Sequence, residues 1–289
     1  LFTQHSRRWQ DFRYVYPVIS RRSHGLSIGI NLNPDGLCNF DCVYCCVNRP
    51  ALRAHPDPVA QAPFDLDVLR QELDTLLAMA LAGDLWRVPP FDQTPPDYRR
   101  VCDIAFSGNG EPTACQRFAD AVRLVAQVKH LRQARDVSIV LITNATLLHR
   151  PAVQEGLAVL YANQGEIWAK LDAGTQGYYQ RIDRSTVPLR QVTTNITEAG
   201  RDHPLVIQSM FITYHGRTIS DSELKAYTDR VARIVHGGCQ VKLIQVYTLA
   251  RATSDPQVQP TDTARLEVIA ATLRAALPAI PVEIFSAAT

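Results

Sequence analysis

Stretches with strand character and stretches with helical periodicity alternate along most of the 289 residues. That alternation restricts the fold more than any other feature, because a strand returning beside a parallel neighbour needs a long crossover, which a helix supplies. Leu26 to Leu32 (LSIGINL) is a short apolar run closed by Asn33-Pro34-Asp35-Gly36, residues that favour turns, and it reads as the first strand. From Asp65 to Leu85, Leu66, Leu69, Leu73, Leu76, Leu77, Ala80 and Leu81 recur three and four apart, the spacing of one helix face. Four prolines between Val88 and Pro96 exclude a helix there. Further strands are expected at Val101 to Phe106, Val137 to Ile142, Glu166 to Leu171, Leu205 to Ile212 and Gln240 to Tyr247, with a last short one at Val282 to Phe285. Helices are expected at Arg117 to Leu131, around Leu147 to Tyr161, between Tyr178 and Ala199, at Asp221 to Val235 and at Thr261 to Leu277. Ser220 would cap the helix from Asp221, and Gly237-Gly238 would stop it. The repeated unit fits an incomplete barrel or an open α/β sheet, and in either one chemistry gathers at the C-terminal ends of the strands.

Composition removes other classes. With 46% hydrophobic and 20% charged residues, 14 Gly and 18 Pro, the chain is neither disordered, collagen-like nor coiled-coil. At this length the core is large enough to stand without disulfides. No apolar run reaches the ~18 residues that span a bilayer, and Leu1 to Arg22 is too polar for a signal peptide. The expectation is a cytoplasmic protein with no membrane partner. Residues 1–24 are expected as an N-terminal extension and 25–289 as one core domain. Net charge is +2, no argument by itself for a nucleic acid partner, although residues 1–30 carry +4. There Arg7, Arg8, Arg13, Arg21 and Arg22 interleave with Trp9, Phe12, Tyr14 and Tyr16. That pairing can bind phosphates and stack bases, but the favoured reading is aromatics packed on the core with arginines in solvent.

Four of the seven cysteines, Cys38, Cys42, Cys45 and Cys46, fall within nine positions directly after the first strand. An odd, crowded set is no disulfide framework and points to metal or redox chemistry. Cys38-Asn-Phe-Asp-Cys42-Val-Tyr-Cys45 has the spacing C-x3-C-x2-C, so three thiolates on one tight loop can converge on one centre, and soft sulfur selects zinc, copper(I) or iron–sulfur clusters. A closed zinc site wants a fourth ligand, for which Cys46, His24 and His55 are the nearest candidates. Three ligands suit a [4Fe-4S] cluster with one iron left open. Cys42-x-x-Cys45 as a thioredoxin-like dithiol is a further alternative.

Cys38, Cys42 and Cys45, with Phe40 and Tyr44 between them, resemble the motif of the radical S-adenosylmethionine (radical SAM) superfamily. Phe106-Ser-Gly-Asn-Gly-Glu-Pro-Thr113, after the second strand, is similar to that superfamily's Gly-Gly-Glu element. The strings INLNPDGLCNFDCVYC, AFSGNGEPT, LITNATLL and KLDAGT resemble most the wyosine-synthase-like branch, and the similarity runs from about Gly25 to Tyr247. The resemblance implies a partial (β/α)6 TIM-like barrel with parallel strands and outer helices. It also implies a [4Fe-4S] cluster on Cys38, Cys42 and Cys45, S-adenosylmethionine as cofactor, and an external electron donor of the flavodoxin or ferredoxin type. Cleavage of the C5'–S bond would yield a 5'-deoxyadenosyl radical, which abstracts hydrogen from a small-molecule or nucleoside-like substrate. Gly108 and Gly110 would let the backbone approach the methionine end of the cofactor, and Asn109, Glu111 and Pro112 share that turn. Wyosine synthases modify a tRNA guanosine and carry an extra N-terminal cysteine set; this chain has no cysteine before Cys38, so the RNA reaction stands as an alternative only.

Other positions carry two readings each. Asn144, after the third strand, would hydrogen-bond cofactor or simply form a turn. Lys170 and Asp172, at the end of the fourth, would meet the ribose or carboxylate of the cofactor, or pair with each other. His215, in the loop after the fifth, would act as acid, base or substrate ligand, or be solvated. Cys46 has three readings, as an alternative ligand, a hydrogen donor or a small buried side chain, the last being favoured because free cysteine behaves as a small hydrophobe. Gln208 with Met210, and Gln245 with Tyr247, share strand faces by their period-two spacing; the second pair would line a barrel interior or, as the default reading, simply pack.

Overall fold

The computed structural model describes residues 9–54, 62–251, 253 and 255–287. Arg7, Arg8 and His55 lie outside them. By their contacts the described residues group into two compact units, those within 1–38, 49–142 and 150–166, and those within 39–48, 143–149 and 167–289.

The first unit contains β1 (Val15–Ser20), β2 (Gly25–Ile30), β3 (Val101–Phe106) and β4 (Ser138–Thr143), hydrogen-bonded in that order. β2, β3 and β4 run parallel, as the crossover argument requires. β1 was not expected as a strand. It pairs antiparallel with β2 from Val15↔Ile30 to Ser20↔Gly25, and Pro17 within it is tolerated because β1 is an edge. A carboxylate secures this strand: Glu72, buried, accepts the backbone N–H groups of Arg13, Tyr14 and Val15 at 2.7, 2.8 and 3.1 Å. Tyr14, Tyr16 and Trp9 are buried, so the stretch read as an extension packs its aromatics as expected.

The helices of this unit are α1 (Arg49–Ala54), α2 (Leu66–Ala82), α3 (Phe118–Leu131) and α4 (Pro151–Ala162). α2 starts where Asp65 accepts the N–H groups of Asp67 and Val68 and stops at Gly83, which sits at φ 80°. The stop therefore falls short of the expected Leu85. Leu69, Leu73, Leu76, Leu77 and Ala80 form its buried stripe, as their spacing dictates. The proline-rich stretch holds only short 3-10 turns.

The second unit has parallel strands β5 (Gly165–Lys170), β6 (Leu205–Met210), β8 (Val241–Tyr247) and β10 (Val282–Phe285), in that order, and an antiparallel pair, β7 (Ile212–Tyr214) with β9 (Val258–Pro260). The stretch expected as one strand, Leu205 to Ile212, thus divides at Phe211, whose N–H goes to Tyr247 O at 2.8 Å. The expected helical stretch from Tyr178 to Ala199 is likewise two helices, α5 (Gln176–Ile182) and α6 (Leu189–Ala199); α6 begins directly after Pro188, its N-cap residue. α7 (Asp221–His236) begins at Ser220, whose hydroxyl accepts the Glu223 N–H, and α8 (Thr263–Ala276) begins at Asp262. Ser209 Oγ lies 2.6 Å from the Tyr227 hydroxyl of α7. Its strand neighbours Gln208 and Met210 therefore point to the opposite face, where Gln208 Nε2 donates to Gln245 Oε1 at 2.7 Å. No helix among the described residues is long and apolar enough to cross a membrane.

Candidate functional site

Chemistry-bearing residues gather at the strand ends of each unit. In the first, the turn after β3 is joined to the loop after β2. Ser107 N–H donates to Ile30 O at 3.0 Å, Asn109 N–H to Asn31 Oδ1 at 3.1 Å and Glu111 N–H to Leu37 O at 3.1 Å. Gly110 has a packing reason: a Cβ there would lie 1.9 Å from Leu37 O and 2.7 Å from Asn33 Cβ. The glycine thus serves the close approach of two loops. Glu111 is buried, and its Oε1 accepts from the Thr113 hydroxyl at 2.6 Å and the Thr113 N–H at 3.2 Å. Pro112 opens the 3-10 turn that this carboxylate caps. Cys38 follows this loop, partly exposed and not in a disulfide.

In the second unit, residues 39–48 are held on both flanks. Asn144 Nδ2 donates to Asn39 Oδ1, Asn39 Nδ2 to Thr146 Oγ1, and Thr146 Oγ1 to Asn144 Oδ1, each at 2.7 Å. Asn195 of α6 supports the same turn by donating to the carbonyls of Ala145 and Thr146. On the other flank, Asp41 N–H donates to Asp183 O at 3.0 Å and Val43 N–H to Ile182 O at 2.9 Å. Phe40 is buried edge-on to Tyr179 of α5. Cys42 to Cys45 is a tight turn closed by Cys45 N–H to Cys42 O at 3.0 Å, and the Cys45 sulfur accepts the Val47 N–H at 3.4 Å.

Beneath that turn lies a buried charged group. The Lys170 amine is 3.4 Å from Asp172 Oδ2, with the two side chains 18% and 1% exposed. Of the two sequence readings of this pair, mutual pairing is the one observed. Lys170 also donates to the Tyr247 hydroxyl at 3.1 Å and lies 4.8 Å from the Tyr44 ring centroid. Tyr44 donates to Asp172 and approaches Asp183 Oδ1 at 3.2 Å, while Cys42 Sγ is 3.7 Å from the same oxygen. Asp172 Oδ1 accepts the Met210 N–H at 2.7 Å.

One amine thus faces two carboxyls. Burial, then the neighbouring Asp172 charge, raises the Asp183 pKa well above the carboxylate range. Burial alone would lower Lys170, but Asp172 and Tyr247 outweigh it and hold the amine charged. Burial, and after it Asp183, raises the Cys42 thiol. The turn after Asp172 is fixed from outside by Glu223, which accepts the N–H groups of Gly174 and Thr175 at 2.6 and 2.9 Å.

Sequence reasoning missed Asp183, which lies 141 positions from Cys42 in the chain and has no local pattern around it. For Tyr247 packing is the default reading, and its hydroxyl instead accepts from the Lys170 amine. Two candidates stand apart from the group. His215 is exposed, in a left-handed turn at φ 51°, with its ring against Tyr214. Cys46 is exposed, which corrects the expectation of a small buried side chain; it follows the turn, where its neighbours Tyr44 and Val43 take the buried places. Among the described residues no three His, Cys, Asp or Glu side chains are already gathered as a metal site.

No family model matches the chain. Among curated proteins it is 26% identical over 172 residues to one named GTPase Obg from Brachyspira hyodysenteriae, covering 60% of this chain and 21% of the relative. It is 28% identical over 168 residues to the UPF0026 protein MJ1312 of Methanocaldococcus jannaschii, covering 58% and 43%. The chain therefore spans less than half the length of either. Its four lysines include none that follows a glycine, so the Gly-Lys pair of a GTPase phosphate loop has no counterpart in this sequence.

Among solved structures, a radical SAM methyltransferase from Sphaerobacter thermophilus superposes with a TM-score of 0.60 at 12% identity, over 94% of this chain and 68% of that one. A TYW1 structure with a lysine–pyruvate adduct gives 0.50 at 14% identity, over 88% and 74%. The chain has the fold of the radical SAM enzymes, an α/β partial barrel of mostly parallel strands with outer helices.

Proposed function

We propose that this chain is a radical SAM enzyme in which residues 25–289 form the catalytic core and Cys38, Cys42 and Cys45 hold a [4Fe-4S] cluster. The observation that carries the reading is the Cys42–Cys45 turn on this fold, fastened on two flanks, with neither cysteine in a disulfide. The donor set fits: three soft sulfurs within eight positions leave one iron open, and the Val47 N–H donates to the Cys45 sulfur and so orients it. With S-adenosylmethionine bound, such a cluster supplies reductive cleavage to methionine and a 5'-deoxyadenosyl radical, which takes hydrogen from a small-molecule or nucleoside-like substrate.

The protein's own residues bind and orient. Asn144 holds Asn39, beside Cys38 in the chain, and so positions the start of the cysteine loop. Asp172, Lys170 and Tyr247 position Tyr44 and, through Asp183, Cys42. The turn of Gly108, Asn109, Gly110, Glu111 and Pro112 would meet the methionine end of the cofactor. Lys170 is a charged, paired amine and acts here as a positioning cation; His215 and Cys46 are exposed on the near loops, where they can reach a substrate or partner.

The test is anaerobic reconstitution with iron, sulfide, reductant and S-adenosylmethionine, followed by electron paramagnetic resonance and mass spectrometry. The expected result is a [4Fe-4S] signal that shifts on adding the cofactor, with 5'-deoxyadenosine formed, and loss of both in Cys42→Ala. A colourless protein holding zinc and no iron would falsify the reading in favour of a structural or dithiol site. Tight, salt-sensitive tRNA binding would direct the same chemistry to RNA.

A further inference from the structure

The outer side of the cysteine-loop core carries cations that the reading above does not use. Tyr214 packs with Val43, Tyr44 and Ile182 in the cluster against which Cys42 rests. Three basic side chains surround its ring. Arg181 stands 5.7 Å from the ring centroid, Arg184 donates to the hydroxyl at 3.1 Å, and the His215 ring centroid is 4.2 Å away. Arg217, closing the turn, exchanges backbone hydrogen bonds with Tyr214 at 2.9 and 3.2 Å.

Arg181, Arg184, His215 and Arg217 are all exposed. Among the described residues neither Arg181 nor Arg184 has a carboxylate partner. The acids of the neighbouring loops are Asp41, exposed, and Asp255, whose Oδ1 accepts the Gln257 N–H. Arg184 follows Asp183, which touches the Cys42 sulfur. The patch is therefore cationic, solvent-facing and one residue removed from a proposed cluster ligand.

We infer that Arg181 and Arg184, flanking Tyr214 outside the Cys42–Cys45 turn, dock an acidic one-electron carrier protein of the flavodoxin or ferredoxin type. The inference rests on the proposal that this turn holds an iron–sulfur centre. One electron leaves the reduced carrier, which is oxidised by one, and enters the centre; no bond is made or broken in that step. Electron transfer falls steeply with distance, so a carrier must seat beside the ligands, and exposed guanidiniums without a carboxylate partner seat carboxylates well. RNA is the weaker occupant, because Tyr214 is 8% exposed and offers no face for a base to stack on.

The experiment compares a reduced acidic flavodoxin with dithionite as donor to the reconstituted holoenzyme, alongside flavodoxin binding by interferometry. The double variant Arg181→Glu with Arg184→Glu should bind flavodoxin weakly. Its flavodoxin-driven reduction of the centre should fall about ten-fold or more at low salt and lose its ionic-strength dependence. Dithionite-driven reduction should not change. Arg181→Lys with Arg184→Lys, which keeps both charges, should retain flavodoxin binding and reduction.

Unchanged flavodoxin kinetics in the glutamate pair overturn the inference. So does an equal loss in the lysine pair, which would make the role structural, or loss of tRNA binding with flavodoxin reduction intact. If dithionite itself produces no cleavage in the unaltered holoenzyme, it is the proposed function that fails, while flavodoxin binding still reports on the patch.

Discussion

The turn after β3 and the turn at Cys42–Cys45 both lie where strands end, yet different forces hold them. Around Gly108 to Pro112 backbone N–H groups meet carbonyls and the Asn31 amide, with Glu111 capping its own turn. Around Cys42 the contacts join an amine, two carboxyls, two phenols and a thiol. A backbone lattice sets a position and is insensitive to pH and salt. A buried charged group sets position as well as local potential, and it fails when a single member is removed.

The largest expected effect follows from removing the cation. Lys170→Met leaves Asp172 buried without its partner and should destabilise the protein by about 4 kcal/mol in chemical denaturation, with Asp172→Asn in the same chain recovering part of the loss. If Lys170→Met unfolds at the same denaturant concentration as the parent, the charged group is not what holds the cysteine turn.

A steric change tests the backbone-held turn. Gly110→Ala drives a methyl group into Leu37 O and Asn33 and should cost about 3 kcal/mol. It should leave the salt dependence of stability unaltered, which separates it from Lys170→Met. A negligible change would mean that the two loops of the first unit are not locked together.

The smallest effect concerns an acid of the first unit outside either turn. Asp103 is buried beside Ser27, and burial pushes its pKa up to about 6. Because the folded carboxyl binds its proton more tightly than the unfolded one, stability should be greatest below pH ~4, fall as pH rises to about 6, and then level off. The interval corresponds to about 3 kcal/mol. Asp103→Asn should flatten the profile across it, with a net gain at pH 7 of about 1 to 2 kcal/mol, since Asn keeps only part of the hydrogen bonding. Identical pH profiles for variant and parent would show that Asp103 carries no such penalty.

Much of this was legible in the chain. Helix α2 lies under its leucine stripe, although it stops at Gly83 short of the expected Leu85, and β3, β10 and α7 match their expected positions within one residue. The cysteine turn and Lys170–Asp172 were singled out, each with its alternatives. β1 was hidden because Pro17 and the surrounding arginines mask its pattern, and it exists through pairing with β2 and the Glu72 carboxylate. Asp183 was hidden because an isolated acid among arginines looks solvated; its burial is decided by Tyr44 and Cys42, which are distant in sequence.

Periodicity and turn chemistry act over a few residues, so the sequence alone determined the alternation of elements, their caps and the C-x3-C-x2-C spacing. Which side chains share a low-dielectric space depends on contacts across more than a hundred positions. Tertiary structure alone therefore decided that Lys170 pairs with Asp172 in a buried group, that Asn144 clamps Asn39, and that Cys46 faces solvent. The physical reason is that the burial that raises Asp183, and the Asp172 charge that keeps Lys170 protonated against its own burial, belong to the packed surroundings rather than to the residue.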